Sequence, residues 1–261
     1  MSDNPILVER RGAVGILTIN RPKVLNALDV PTVHAFMDAW DGLEKDEAVR
    51  VIVVTGAGER AFVAGGDIGD LNSRRGAAHW QEFGELIHRA FRRVELCDKP
   101  TIGAVNGYAL GGGTELLLAL DLRILAEGAV LGLPEITIGL FPGAGGSQRL
   151  IRQVSLCKAK EMMFTGDRVD AEKAVAMGLA NMVVPKARLM EDSVALAARI
   201  AEKSPLVLKM LKRALNAGAD MAMDAALAHE QAMISLVLDT EDAHEGMGAF
   251  LDKRKPNFKG R

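Results

Sequence analysis

The sequence predicts an α/β fold in which strand–turn–helix units give way to a helical tail. Two observations carry this. Short apolar runs end repeatedly in glycine-rich turns that open into helical periodicity. The composition then shifts near Ser204-Pro205, from strand- and glycine-rich to rich in alanine, leucine and methionine. The units recur without a fixed period, so the chain is not a solenoid of identical repeats.

Composition narrows the function classes. A chain of 261 residues is one large domain or a domain with an appendage. It is 49% apolar and 25% charged, which suits a globular protein with a sizeable core. Lys and Arg number 32 against 34 Asp and Glu, so the net charge of −2 supplies no global field for nucleic acid or anionic membrane. An anionic ligand must therefore be met by local basic residues and backbone donors. Cys97 and Cys157 form no CxxC pattern, which disfavours a zinc site or disulfide framework. Both read as core or near-core thiols of a reducing compartment. The N-terminus has no apolar signal core and no run approaches a membrane span, so the expected location is cytoplasmic.

Taken in order, Val14 to Asn20 reads as a strand ending at Arg21-Pro22, and Asp29 caps a helix running to about Leu43. Val51 to Thr55 is all apolar, as in a strand buried on both faces. Gly56-Ala-Gly-Glu-Arg-Ala61 after it fits the dinucleotide fingerprint, but no helix opens there and no acidic residue closes a second strand about 20 residues on, so a nucleotide site is set aside. Ala64-Gly65-Gly66-Asp67 is a small-residue turn before a helical segment. Asp67 is a candidate N-cap there and the N–H of Ala64 a candidate donor. A long helix follows from about His79 to Leu96, and segment 69–85 is expected to shape a ligand pocket.

The stretch from Lys99 to Leu150 organises the rest. Thr101 to Val105 reads as a buried strand and Leu116 to Leu122 as a buried helix. Between them stand Gly111, Gly112 and Gly113, then Thr114 and Glu115. Glycines let a backbone approach a ligand closely, and a helix's first turn leaves N–H groups unpaired. Together they offer donors to a developing negative charge. Taken alone, the stretch reads equally well as a tight turn with a Glu favouring the helix dipole.

Arg123 to Ala126 and Ala129 to Leu133 read as short strands, followed by Pro134-Glu135 and then Ile136 to Leu140. The glycine-rich Pro142 to Gly146 implies close packing or a ligand wall, with Ser147 as a candidate cap for the next helix. Helical periodicity returns at Leu156–Thr165 and Ala171–Met177, where Gly178 suits the C′ position. Leu179 to Val184 makes a last strand. Beyond it the chain reads as helices at roughly Leu189–Lys203, Pro205–Asn216, Met221–Leu238 and Thr240–Leu251. The expected division is therefore a core of 1–204 and a helical region of 205–261, with Pro205 at a helix N1 position. The basic face Lys209-Met-Leu-Lys-Arg213 lacks interleaved aromatics and reads as a solvated helix surface rather than an RNA site.

Ala61-Phe-Val-Ala-Gly-Gly-Asp67, Asn106-Gly-Tyr-Ala-Leu-Gly-Gly-Gly-Thr-Glu115 and Leu133-Pro-Glu135 together resemble the enoyl-CoA hydratase/isomerase (crotonase) superfamily. Pro142 to Leu150 and the tail Glu245 to Phe258 extend the resemblance over essentially the whole chain. It implies a spiral of ββα units and a C-terminal helical region that builds trimers, commonly paired into hexamers. It also implies an acyl-CoA substrate, whose thioester oxygen would sit between the N–H groups of Ala64 and Gly112. Members that hydrate carry two glutamates, at positions matching Glu115 and Glu135, whereas many isomerases lack one. Thr114 stands where many hydratases have Cys or another small residue.

The implied reaction is addition of water across the 2,3 double bond of an enoyl-CoA, run in either direction. Glu115 would mainly activate water and Glu135 mainly protonate the α-carbon. The alternative is a double-bond isomerase or another crotonase-type lyase. Further substrate-binding positions implied by the resemblance are Lys23, Val24, Gly65, Gly66, Asp67, Ile68 and Gly111, with Phe250 and Lys253 contributed by a neighbouring subunit. Coenzyme A is part of the substrate, so no separate cofactor or metal is expected, and neither is a nucleic-acid or membrane partner.

Overall fold

The computed structural model describes residues 4–261. Its chain winds as a spiral whose middle turns, within residues 51–132, each place one strand in a large sheet and, beyond a tight turn, one in a smaller sheet. β1 (Ile6–Arg11) pairs antiparallel with β2 (Val14–Ile19), and α1 (Val30–Lys45) follows. The carboxylate of Asp29 accepts from the N–H of Thr32 at 2.9 Å, which is the expected N-cap. The next turn is β3 (Val51–Gly56), β4 (Ala61–Val63), α2 (Ile68–Ser73) and α3 (Ala77–Leu96). Then come β5 (Thr101–Val105), β6 (Tyr108–Leu110) and α4 (Gly112–Ala119), followed by β7 (Leu122–Ala126), β8 (Val130–Gly132), α5 (Gly146–Leu150) and α6 (Leu156–Thr165).

β9 (Val169–Asp170), α7 (Ala171–Ala176), β10 (Met182–Val184) and α8 (Leu189–Ala201) complete the core, and α9 (Pro205–Gly218), α10 (Met223–Leu238) and α11 (Glu241–Leu251) form the tail. The large sheet has the order β1-β2-β3-β5-β7-β10, parallel from β2 onward, and the small sheet β4-β6-β8-β9, parallel up to β8. This is the mixed α/β spiral that the resemblance implies. Among the described residues no helix is long and apolar enough to cross a membrane.

The tight turns between the two sheets depend on residues without bulk and on two asparagines. A Cβ on Gly107 would run into the backbone of Arg60, and one on Gly56 into the carbonyls of Ala61 and Phe62. The buried amide of Asn106 donates to the carbonyls of Gly56 at 2.9 Å, Gly58 at 2.7 Å and Ala61 at 3.1 Å, and Asn26 donates to those of Ala57 at 3.0 Å and Ala61 at 2.8 Å. These bonds satisfy carbonyls that the turn withdraws from both ladders.

The main core lies between the large sheet and the inner helices, around Trp40, Phe62, Phe91, Leu116 and Leu117. A second apolar cluster on the sheet's other face, including Ile16, Val51, Val53 and Ile102, is covered by Leu189, Ala197 and Ala201 of α8. In the tail, Lys212 of α9 bonds to Asp121 at 2.7 Å, and Arg50 donates to the carbonyl of Phe258 at 3.2 Å, tying the helices to the core.

Several local expectations need correction. The buried helix begins at Gly112 and ends at Ala119, not over Leu116–Leu122, because Leu122 already belongs to β7. The guanidinium of buried Arg123 caps its end, donating to the carbonyls of Leu117 at 2.6 Å and Leu120 at 3.0 Å. Burial of that guanidinium pushes its pKa down to about 10. Ser147 lies inside α5, whose N-cap is Gly145 at φ +101°. The last strand is shorter than Leu179–Val184, since the N–H groups of Leu179 and Ala180 turn back to the carbonyl of Ala174. Pro134–Ile138, to which the sequence assigned no element, is a 3-10 turn. Cys97 is buried as expected, whereas Cys157 is exposed.

Candidate active site

The site is built where the second and third turns of the spiral meet. α4 starts directly against β4. A Cβ on Gly113 would collide with the carbonyl of Val63 and come within 2.9 Å of its Cβ, so only glycine permits this approach. Gly111, at φ +51°, turns the chain from β6 into α4, and its own N–H is bonded to the carbonyl of Gly132 at 2.9 Å. The next N–H, that of Gly112, opens the helix with no acceptor among the described residues.

Across from it stands Gly66. A Cβ on Gly112 would lie 3.6 Å from the nitrogen of Gly66. A parallel bridge joins Leu28 to Gly66: the N–H of Leu28 donates to the carbonyl of Gly65 at 2.9 Å, and the N–H of Asp67 donates to the carbonyl of Leu28 at 2.8 Å. Such a bridge uses the peptide groups flanking Gly66 and turns that residue's own N–H to the opposite side. No described residue accepts from it.

Ala64, the sequence-based candidate for this donor, is corrected here. Its N–H donates to the carbonyl of Leu25 at 3.0 Å and is consumed by the fold. The N–H groups of Gly66 and Gly112, which face each other across the turn, have no acceptor among the described residues.

Glu115 follows within the first turn of α4. It is only 3% exposed, and its Oε1 accepts from the N–H groups of Ala144 at 2.7 Å and Gly146 at 2.8 Å. Burial raises its pKa, while those two N–H groups and the charge of Arg149 act in the opposite direction. Arg149 holds the same loop: it donates to the carbonyl of Ala144 at 3.2 Å and pairs with Glu95 at 3.0 Å. The expectation that Pro142–Gly146 packs closely or walls a ligand thus acquires a specific content, the fixing of Glu115.

Glu135 sits in the 3-10 turn after Pro134 and faces the same cavity. Its Oε1 lies 3.2 Å from where a Cβ on Gly111 would stand, and its buried Oε2 has no partner among the described residues. Burial, reinforced by the charge of Glu115, pushes its pKa up to about 7.

The cavity these groups share holds about 250 Å³. Ala64, Gly65, Gly66, Ile68, Gly111, Gly112, Glu115 and Glu135 all line it. Asp67 does not. It caps α2 by accepting from the N–H groups of Gly69 at 3.1 Å and Asp70 at 3.2 Å, and it pairs with Arg21. Lys23 and Val24 occupy the exposed turn Pro22–Val24 outside the cavity, and Phe250 and Lys253 lie at the end of α11, also away from it within one chain. Segment 69–85 does contribute, through Leu71, Trp80, Phe83 and Gly84. The far wall, Ile138, Leu140 and Phe141, carried no distinguishing signal in the sequence.

Two carboxyls and two unpaired N–H groups thus converge on one apolar hollow. That arrangement can stabilise an oxyanion on a bound carbonyl compound and exchange protons at atoms close to it.

Comparison with known proteins agrees with this chemistry. Residues 9–261 match the enoyl-CoA hydratase/isomerase family model. The chain is 40% identical to a short-chain-enoyl-CoA hydratase of Clostridium acetobutylicum, covering 100% of each. It is 41% identical to a crotonyl-CoA hydratase of Syntrophomonas wolfei, covering 99% of each. Its structure superposes on the crystal structure of an enoyl-CoA hydratase from Bacillus anthracis with a TM-score of 0.95 at 36% identity, covering 98% of this chain and 100% of that one.

Proposed function

The chain belongs to the enoyl-CoA hydratase/isomerase family, and from that premise we propose that it adds water reversibly across the 2,3 double bond of an enoyl-CoA thioester. The observation that carries this reading is the convergence of Glu115 and Glu135 on one cavity beside two N–H groups that the fold leaves unpaired.

The thioester oxygen is received between the N–H groups of Gly66 and Gly112. Charge moves onto it as the nucleophile adds at the β-carbon, and donors fixed in advance stabilise that charge without reorganisation. The start of α4 adds its dipole in the same direction. Glu115 takes a proton from water, so the oxygen adds to the β-carbon. Its Oε1 is already saturated by Ala144 and Gly146, which leaves Oε2 for the water. Glu135, whose raised pKa lets it hold a proton near neutrality, delivers that proton to the α-carbon. The balance is one water added, with its proton retained at Glu115 and one proton given by Glu135. Exchange between the two carboxyls or with solvent restores the start.

The assembly reading is a trimer or a pair of trimers, supported by the apolar surface of the tail. Leu215 is 64% exposed in the single chain, Met223 72%, Phe250 82% and Leu251 78%. In it, Phe250 and Lys253 meet the coenzyme A moiety bound to a neighbouring subunit, and Lys23 and Val24 meet its adenine end.

Turnover of a four-carbon enoyl-CoA in isotopically labelled water tests the reaction. Label at the β-carbon hydroxyl is expected. A double bond that shifts with no label in the product identifies an isomerase instead.

A further inference from the structure

One face of α3 forms a wall of the cavity. It presents Trp80, Phe83, Gly84 and Ile87, spaced i, i+3, i+4 and i+7 as a single helical stripe. Three of these side chains are large and the fourth is absent. A glycine inside a helix is less favourable than alanine, so its presence calls for a reason. At Gly113 of α4 the reason is collision, because a Cβ there would run into the backbone of Val63. At Gly84 a Cβ would meet nothing within 4 Å, and the residue has an ordinary helical backbone. Neither packing nor conformation asks for glycine there. What the missing side chain does is leave a notch in the cavity wall.

The surroundings of the notch are apolar. Leu71, Ile138 and Phe141 also line the cavity, and among the described residues its only ionisable lining groups are Glu115 and Glu135 at the reacting end. The cation beside this wall is Arg74, which stacks on Phe83 at 5.1 Å; its Nη2 donates to both oxygens of Asp70, at 2.9 and 3.0 Å, so its charge is already balanced, although its buried Nε has no partner among the described residues. A carboxylate at the far end of an acyl chain would lose its water there and meet no cation whose charge is not already paired.

We propose that Gly84 sets the reach of the acyl site: its notch receives the distal methylenes of a linear, uncharged acyl chain longer than four carbons, and a chain ending in carboxylate is rejected. The inference rests on the hydratase reading of the same site.

The test is kcat/KM for four-, six- and eight-carbon 2-enoyl-CoAs, and for a six-carbon one ending in carboxylate, with wild type, Gly84→Ala and Gly84→Leu. Each methylene kept out of an apolar site forfeits roughly fourfold. The eight-to-four-carbon ratio should therefore fall about fourfold or more in Gly84→Ala and at least about 50-fold in Gly84→Leu, a loss of roughly three methylenes' burial. In wild type the carboxylated substrate should be at least about tenfold worse than its uncharged six-carbon counterpart, as expected for an unpaired buried charge.

Gly84→Ala favours the helix and fills open space, so its thermal midpoint should not drop, and a changed ratio then reports the cavity rather than the fold. A ratio unchanged in both variants overturns the role of Gly84, and equal turnover of the carboxylated substrate overturns the exclusion. A wild type that hydrates none of these thioesters overturns the hydratase reading, and the inference with it.

Discussion

A Cβ on Gly146 would stand 2.8 Å from Cγ of Glu115 and 2.9 Å from its Oε1. The carboxylate is therefore clasped on one side by the N–H of Gly146 and on the other kept in place by the absence of any side chain there. Gly146→Ala must push Glu115 from its position. A misplacement on the order of 1 Å costs roughly 10²-fold in a positioned reaction, so kcat should fall about that much while KM for the enoyl-CoA changes little. Steady-state kinetics separate the two. A variant with wild-type kcat would show that Glu115 tolerates displacement and is not the water's base.

Glu135 makes the protein respond to pH in two ways. With its pKa raised to about 7, it is protonated below that value and able to serve as an acid. Hydration should accordingly slow as pH rises through about 7, and dehydration should slow with it, because it runs from the same singly protonated pair with the proton on Glu115 instead. Initial rates in both directions across that range decide the matter.

The same group affects stability. In the unfolded chain its carboxyl titrates near 4.5, and in the folded protein near 7. Between those values the unfolded state gives up a proton that the folded state keeps, so the stability present below 4.5 is lost as pH climbs to 7. Glu135→Gln removes that loss. Its thermal midpoint should exceed wild type by more at about pH 8 than at about pH 5. An equal difference at both would mean that Glu135 is not held in its neutral form by burial.

An amide-to-ester exchange at residue 66 or 112 removes one N–H without adding a side chain. Each should cost roughly 10²- to 10³-fold in kcat, the scale of a single oxyanion donor. Each should also reduce the lowering of the thioester C=O stretching frequency seen when a saturated acyl-CoA binds. The same exchange at residue 64 breaks the bond to Leu25 and should appear chiefly as about 1 kcal/mol of lost stability. A larger spectral effect at 64 than at 66 would reverse the assignment of the two donors.

Light scattering of the purified protein should give the mass of a trimer or hexamer, because the exposed leucines and methionines of α9 and α10 form more apolar surface than a monomer ordinarily leaves in water. A monodisperse and active monomer would rule this out and would separate Phe250 and Lys253 from any role in binding.

Much of this was legible in the chain and some was not. The caps at Asp29 and Asp67, the helix start at Pro205 and the helix Leu156–Thr165 follow from local chemistry, and the structure places them at those residues. Glu115 and Glu135 stand beside small-residue turns that bring them to one cavity. The choice between Ala64 and Gly66 was not readable, because it depends on the carbonyls of Leu25 and Leu28, contributed by a loop some forty residues away. β1 and β6 escaped notice for a related reason. β1 alternates little and is mostly exposed, and β6 is three residues whose identity as a strand depends on its neighbours β4 and β8. Gly84 carries no local signal, because its meaning lies in the open space beside it.

The bridge between Leu28 and Gly66 gives the protein's first spiral turn a single rung where later turns have a strand. On the other side of Gly66, β6 has already bent away at Gly111 to become α4. Leu28 bonds only the side of the strand facing it, so the N–H of Gly66 on the opposite side is left open in the hydrogen-bond lattice. A ligand carbonyl placed there completes the lattice as a further acceptor. Extending β6 by one residue, which would seem to repair the sheet, would close the vacancy and silence the site, so selection for a more regular fold and selection for turnover pull this turn in opposite directions.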